Sequence, residues 1–199
     1  MAYKNILNTV DHIEGILAEV GFGKGNDLSD IIGYMNDGEV ATRHISLFDS
    51  FEGQPEPTDI DEGLFQKGDH NRPIQPAYDI VNTIKVDVCI CKGWVEDTLE
   101  KCIKDTPPAV VHLDLMGYES TLYSLNTAYK FLVEEGVIII KDYDNYVGIK
   151  KATDKFANTN KLSINKTAIS DSTAFIYKPK LNKTVTNKKV NRTWSSTLT

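Results

Sequence analysis

Between Leu17 and Gly25 the chain reads LAEVGFGKG, an acid followed at two-residue steps by glycines 21, 23 and 25. Such a turn lets the backbone reverse sharply and leaves no β-carbon where a ligand must lie against the main chain. A helix starting just after it would offer unpaired N–H groups and a positive dipole end to that ligand. Glu19 could accept from a ligand ammonium or hydroxyl. The spacing is ExGxGxG, not the dinucleotide GxGxxG, which disfavours a nicotinamide enzyme. Asp49, Trp94, Asp114 and Asp142 stand at or just past other apolar runs. An acid after the second strand of an α/β sheet typically accepts from ribose hydroxyls, and Trp94 offers a face to an adenine ring. Each feature also has a plainer reading: a bare turn, a capping acid, a packing tryptophan.

What must position these residues is legible as alternating elements. Residues 3–13 carry Ile6, Leu7 and Val10 at helical spacing, ahead of the strand that enters the glycine turn. The pattern predicts a helix over 27–34, a strand over 43–48, a long surface loop over 50–76 and a short helix over 77–84. Strands are expected over 86–91 and 109–115, a helix over 120–132 and a strand over 137–140. A helix over 148–157 follows, then an antiparallel pair over 161–164 and 174–178 at the sheet edge. Strands alternating with helices over about 150 residues imply an α/β, Rossmann-like fold with a mostly parallel sheet flanked by helices. Ligands of such sheets lie beyond the carboxyl ends of the strands, where Glu19, Asp49, Trp94, Asp114 and Asp142 all fall. Residues 1–180 read as a single domain, and 181–199 as a basic, polar tail.

Composition narrows the partners. Hydrophobic residues make up 41% and charged ones 25% of the 199, an ordinary globular balance. A net charge of −6 disfavours a nucleic-acid-binding surface, and no apolar run is long enough to span a bilayer. Asp11, His12 and Glu14 interrupt the start where an export signal would be apolar. Cys89, Cys91 and Cys102 form no even framework, and the first two share a strand face, so they are expected in the core. The expected compartment is the cytoplasm.

The segments EVGFGKG (19–25), LFDSFEGQPEP (47–57), KGWVEDTL (92–99), HLDLMGYEST (112–121) and IIIKDY (138–143) together resemble successive motifs of the macrocin O-methyltransferase family. These are class I S-adenosylmethionine-dependent enzymes that methylate sugar hydroxyls. The resemblance implies roles residue by residue. Glu19, Gly21 and Gly23 would hold the methionine part of the cofactor, Asp49 and Ser50 the ribose, and Gly93 and Trp94 the adenine. Asp114 would face the transferring methyl group and a metal, with Asp142 a second metal-facing acid. A hydroxylated small molecule would be the acceptor.

Three departures from the family pattern stand out. Met116 replaces the second acid of a DxD, and Lys141 replaces the first of two acids before Tyr143. An ammonium fits poorly among the ligands of Mg²⁺, so either Asp144 replaces the lost ligand or Lys141 supplies the positive charge. In the latter case Lys141 lowers the acceptor hydroxyl's pKa while Asp114 or His112 takes its proton. Met116 and Lys141 equally suit a degenerate member that holds the cofactor without efficient turnover. Finally, only 18 residues precede Glu19, fewer than the family's helical N-terminal region. The acceptor pocket is then expected to be open, or completed by a second copy in a homo-oligomer.

Overall fold

The structure is a computed structural model and describes residues 2–83, 87–167 and 172–181. Seven strands form one sheet in the order β3-β2-β1-β4-β5-β7-β6. They are β1 (Ile16–Val20), β2 (Ile45–Asp49), β3 (Val88–Lys92), β4 (Pro108–Leu113), β5 (Val137–Ile140), β6 (Asn165–Lys166) and β7 (Ala174–Tyr177). Strands β1 to β5 pair in parallel, and β7 runs antiparallel to both β5 and β6. The expected Rossmann-like sheet with its antiparallel edge is therefore present.

Among the described residues six α-helices cover the faces: α1 (Ala2–Thr9), α2 (Asn26–Asn36), α3 (Gln75–Val81), α4 (Val95–Ile103), α5 (Tyr118–Phe131) and α6 (Val147–Asn160). Strand alternation divides the core between the two faces. Ala18, Val20, Val111 and Leu113 pack with α4, α5 and α6. Leu17, Leu47, Val110 and Ile139 pack with α1 and α2. Each fully buried Val, Leu or Ile among these contributes roughly 1.5–3 kcal/mol.

Three local readings change. Helix α4 was not expected, yet its Val95, Leu99 and Ile103 recur every fourth residue and are buried. Glu96 and Asp97 in its first turn, with Lys101 in its last, complement the helix dipole. The edge hairpin starts later than expected because α6 runs to Asn160, where Lys161 closes it at φ 55°. Cys89 is exposed, since β3 is the outermost strand of the sheet, while Cys91 is buried. The expected ends of α3 at Ile84 and of β3 at Val86, and the tail beyond Leu181, lie outside the described residues.

The sheet order reverses between β1 and β4, and the loops leaving these two strands lie side by side. Asp114 N donates to Val20 O at 2.8 Å, and Gly21 N donates to Phe48 O at 2.8 Å. A β-carbon on Gly21, at φ +87°, would stand 2.1 Å from the Asp114 carbonyl oxygen. Glycine is required there because two strand exits touch.

Candidate active site

A cavity of about 670 Å³, open to solvent, lies over the carboxyl edge of the sheet. Gly21, Gly23, Asp49, Ser50, Gly93, Trp94 and Asp114 all line it. Asp49 joins two of its walls: Oδ2 accepts from Phe22 N at 2.7 Å and Oδ1 from Phe51 N at 2.7 Å. Each oxygen keeps a lone pair for a ligand hydroxyl. Ser50 Oγ donates to Gly53 O at 3.3 Å and accepts from Glu52 N at 3.1 Å, which closes the turn after β2.

The remaining expected residues fall elsewhere. Glu19 is 1% exposed, its Oε2 2.8 Å from His112 Nδ1, and neither residue lines the cavity. His112 is fully buried beneath the site with the Tyr3 ring edge-on at 5.1 Å, and its Nε2 has no hydrogen-bond partner among the described residues. Glu19 and His112 face each other beneath the cavity rather than lining it. Burial raises the Glu19 carboxyl above its ordinary value despite His112. Burial opposes a charge on His112, but the Glu19 carboxylate outweighs it and the imidazole rises too. The pair is a buried acid–base unit of the core.

Asp114 belongs to a different cluster. Lys141, just past β5, places Nζ 3.1 Å from Asp114 Oδ2 and 2.5 Å from Asp27 Oδ2 in the first turn of α2. Burial raises the Asp114 carboxyl above its usual range, although Lys141 pulls it back. Burial acts to lower Lys141, but Asp114 and Asp27 more than compensate, so its pKa rises and it stays an ammonium ion. Asp27, in the first turn of α2, is a partner that no sequence pattern reveals. Asp142 turns away: its Oδ1 accepts from Asn145 Nδ2 at 2.7 Å within its own turn. Asp144 pairs with Lys150 at 3.2 Å and Lys166 at 2.6 Å.

Over residues 2–178 the chain matches the family described as Macrocin-O-methyltransferase (TylF). It belongs to the macrocin O-methyltransferase family. Among solved structures it is similar to CalS11, a calicheamicin methyltransferase, at TM-score 0.76 and 19% identity, covering 88% of this chain and 77% of that one. It is also similar to the O-methyltransferase NovP at TM-score 0.71 and 22% identity, covering 89% and 79%. An S-adenosylhomocysteine-bound methyltransferase from Podospora anserina aligns at TM-score 0.58 and 13% identity, covering 88% and 76%. At these identities the likeness establishes the fold. No curated protein matches the chain.

For a macrocin O-methyltransferase the cofactor side of the cavity is chemically suited to S-adenosylmethionine: a glycine turn, an acid after β2 and an indole after β3. The residues present do not suit a divalent cation. The two carboxylates that converge, Asp27 and Asp114, are bridged by an ammonium, while Asp142 and Asp144 are engaged elsewhere. Among the described residues no group of three or more His, Cys, Asp or Glu is arranged to hold a metal ion. Likewise, no helix among them is long and apolar enough to cross a membrane.

Proposed function

We propose that this protein is an S-adenosylmethionine-dependent O-methyltransferase acting on a hydroxyl of a sugar or another small molecule. The observation that carries this reading is the single cavity shared by the glycine turn, Asp49, Trp94 and Asp114. Gly21 and Gly23 would hold the methionine part of the cofactor, Asp49 and Ser50 the ribose, and Gly93 and Trp94 the adenine. The cofactor supplies a methyl group activated on a sulfonium.

The chain's own task is to deliver a nucleophilic oxygen. Asp114 accepts the acceptor's hydroxyl proton, and its raised pKa makes it a better base than an ordinary aspartate. Lys141 fixes the Asp114 carboxylate and places a permanent positive charge where the developing alkoxide is stabilised. Asp27 holds the ammonium from its other side. No step needs a metal.

A second reading is supported by the same ion pair. If Asp114 Oδ2 stays committed to Lys141, with Met116 in place of a second acid, the protein binds the cofactor without efficient turnover. Calorimetric titration with S-adenosylmethionine tests what both readings share, and micromolar binding is expected. Release of S-adenosylhomocysteine in the presence of a panel of hydroxylated sugars then separates them. Failure of S-adenosylmethionine to bind would end both.

A further inference from the structure

The loop over 50–76, expected to be surface, builds one wall of the cavity with Gln54, His70 and Arg72. It is tied down rather than loose. Gln54 N donates to Asp69 O at 2.8 Å, Gly68 N to Gln54 O at 2.9 Å, and Gln66 N to Asp69 Oδ2 at 2.8 Å. A β-carbon on Gly53 would stand 2.4 Å from Gly68 O, so the two limbs of the loop are in close contact. His70, at φ 61°, is held in the left-handed region that non-glycine residues rarely occupy.

The two described arginines are treated in opposite ways. Arg43 is buried and satisfied, donating to Val10 O at 2.6 Å, Ile13 O at 2.6 Å and Gly15 O at 3.0 Å. The Nε of Arg72 is buried and has no hydrogen-bond partner among the described residues, and no carboxylate of theirs forms an ion pair with it. A guanidinium donor withdrawn from water and left unpaired is costly, and its flat fork matches a carboxylate or phosphate. The cavity's other fixed charges, Asp49 and Asp114, are acids. A neutral acceptor would leave Arg72 uncompensated when it displaced water.

We propose that Arg72, on the same loop wall as His70, is an anion subsite that pairs with a phosphate or carboxylate group carried by the acceptor. This deepens the methyl-transfer reading and rests on it for the word acceptor. The glycine turn is already assigned to the methionine part of the cofactor, which leaves the loop wall to the second ligand. Arg72 is then a specificity residue, favouring anionic acceptors over their neutral counterparts.

Inorganic pyrophosphate titrated calorimetrically into the S-adenosylhomocysteine-loaded protein tests the subsite, with Arg72→Gln and Arg72→Lys alongside. The expected result is binding to the wild type that weakens at least about tenfold in Arg72→Gln. Arg72→Lys should recover part of that loss, because it keeps the charge but not the fork. Affinity for S-adenosylhomocysteine should stay within about twofold across all three proteins, which also reports that the variants are folded. Absent pyrophosphate binding, or equal binding to wild type and Arg72→Gln, overturns the proposal. A selective loss of S-adenosylhomocysteine affinity in Arg72→Gln also overturns it, by giving the arginine to the cofactor's carboxylate. If the wild type binds no S-adenosylhomocysteine, the methyl-donor reading fails, and the same pyrophosphate comparison on the free protein decides the subsite separately.

Discussion

His112 and Asp114 stand two residues apart at the end of β4, and each meets an opposite partner from a neighbouring element. The side chains of His112 and Glu19 are 0% and 1% exposed, whereas those of Lys141, Asp27 and Asp114 are 30%, 18% and 16% exposed. The first pair is sealed under the sheet's carboxyl edge and serves the fold. The second cluster is partly exposed, and its Asp114 lines the cavity. A shift of two residues along one strand separates a sealed acid–base pair from an accessible one.

The widest separation between the two should appear in turnover and in stability. Asp114→Asn removes the proposed proton acceptor at nearly constant shape, and methyl transfer in single-turnover assays should fall by about 10²–10⁴. An unchanged rate would put the base elsewhere. His112→Ala should leave binding of S-adenosylhomocysteine intact in the folded fraction while costing roughly 3–5 kcal/mol of stability in urea denaturation, because it strands Glu19 in the core. Replacing Glu19 and His112 together by leucine should cost less than the two single changes summed, since no unpaired charge remains. Additive costs would mean the pair is not a unit.

The pH profile sharpens the comparison. As the proposed base Asp114 would work ionised, and its folded-state pKa is raised by burial, so activity should fall on acidification at a pH above the ordinary aspartate range. Lys141→Met removes the charge that favours the ionised form, and the acidic limb should move to still higher pH. A limb that moves down, or not at all, would mean that Asp114 is not the titrating group. The smallest effect is expected at Asp142. Asparagine tolerates its φ of 56°, so Asp142→Asn should change stability by no more than about 0.5 kcal/mol and leave turnover unaltered.

The parts of the molecule that could be read from the chain are those governed by local rules. The glycine turn is one, because positive φ and the close approach of Asp114 demand glycine at 21. The buried run VIII of β5 is another, as are the acids at strand ends. What escaped depends on contacts between distant segments. Glu19 meets His112 across 93 positions, which draws both side chains into a buried pair beneath the cavity. Lys141 reaches Asp27, which lies in the first turn of α2 and carries no signal in the sequence beyond its place near a helix start. Arg72 sat in a stretch without periodicity, and only the fold brings that loop over the cavity. Helix α4 is different, since its four-residue apolar spacing was there to be read.

The central claim is that the Lys141 ammonium occupies, between Asp27 and Asp114, the role that a divalent cation would otherwise fill. Calorimetric titration of Mg²⁺ into the S-adenosylhomocysteine-loaded wild type tests it most directly, with Lys141→Asp run in parallel. The account predicts no micromolar binding to the wild type, and a gain of Mg²⁺ affinity when the ammonium is exchanged for a third carboxylate. Micromolar binding of Mg²⁺ by the wild type, lost in Asp114→Asn, would contradict it.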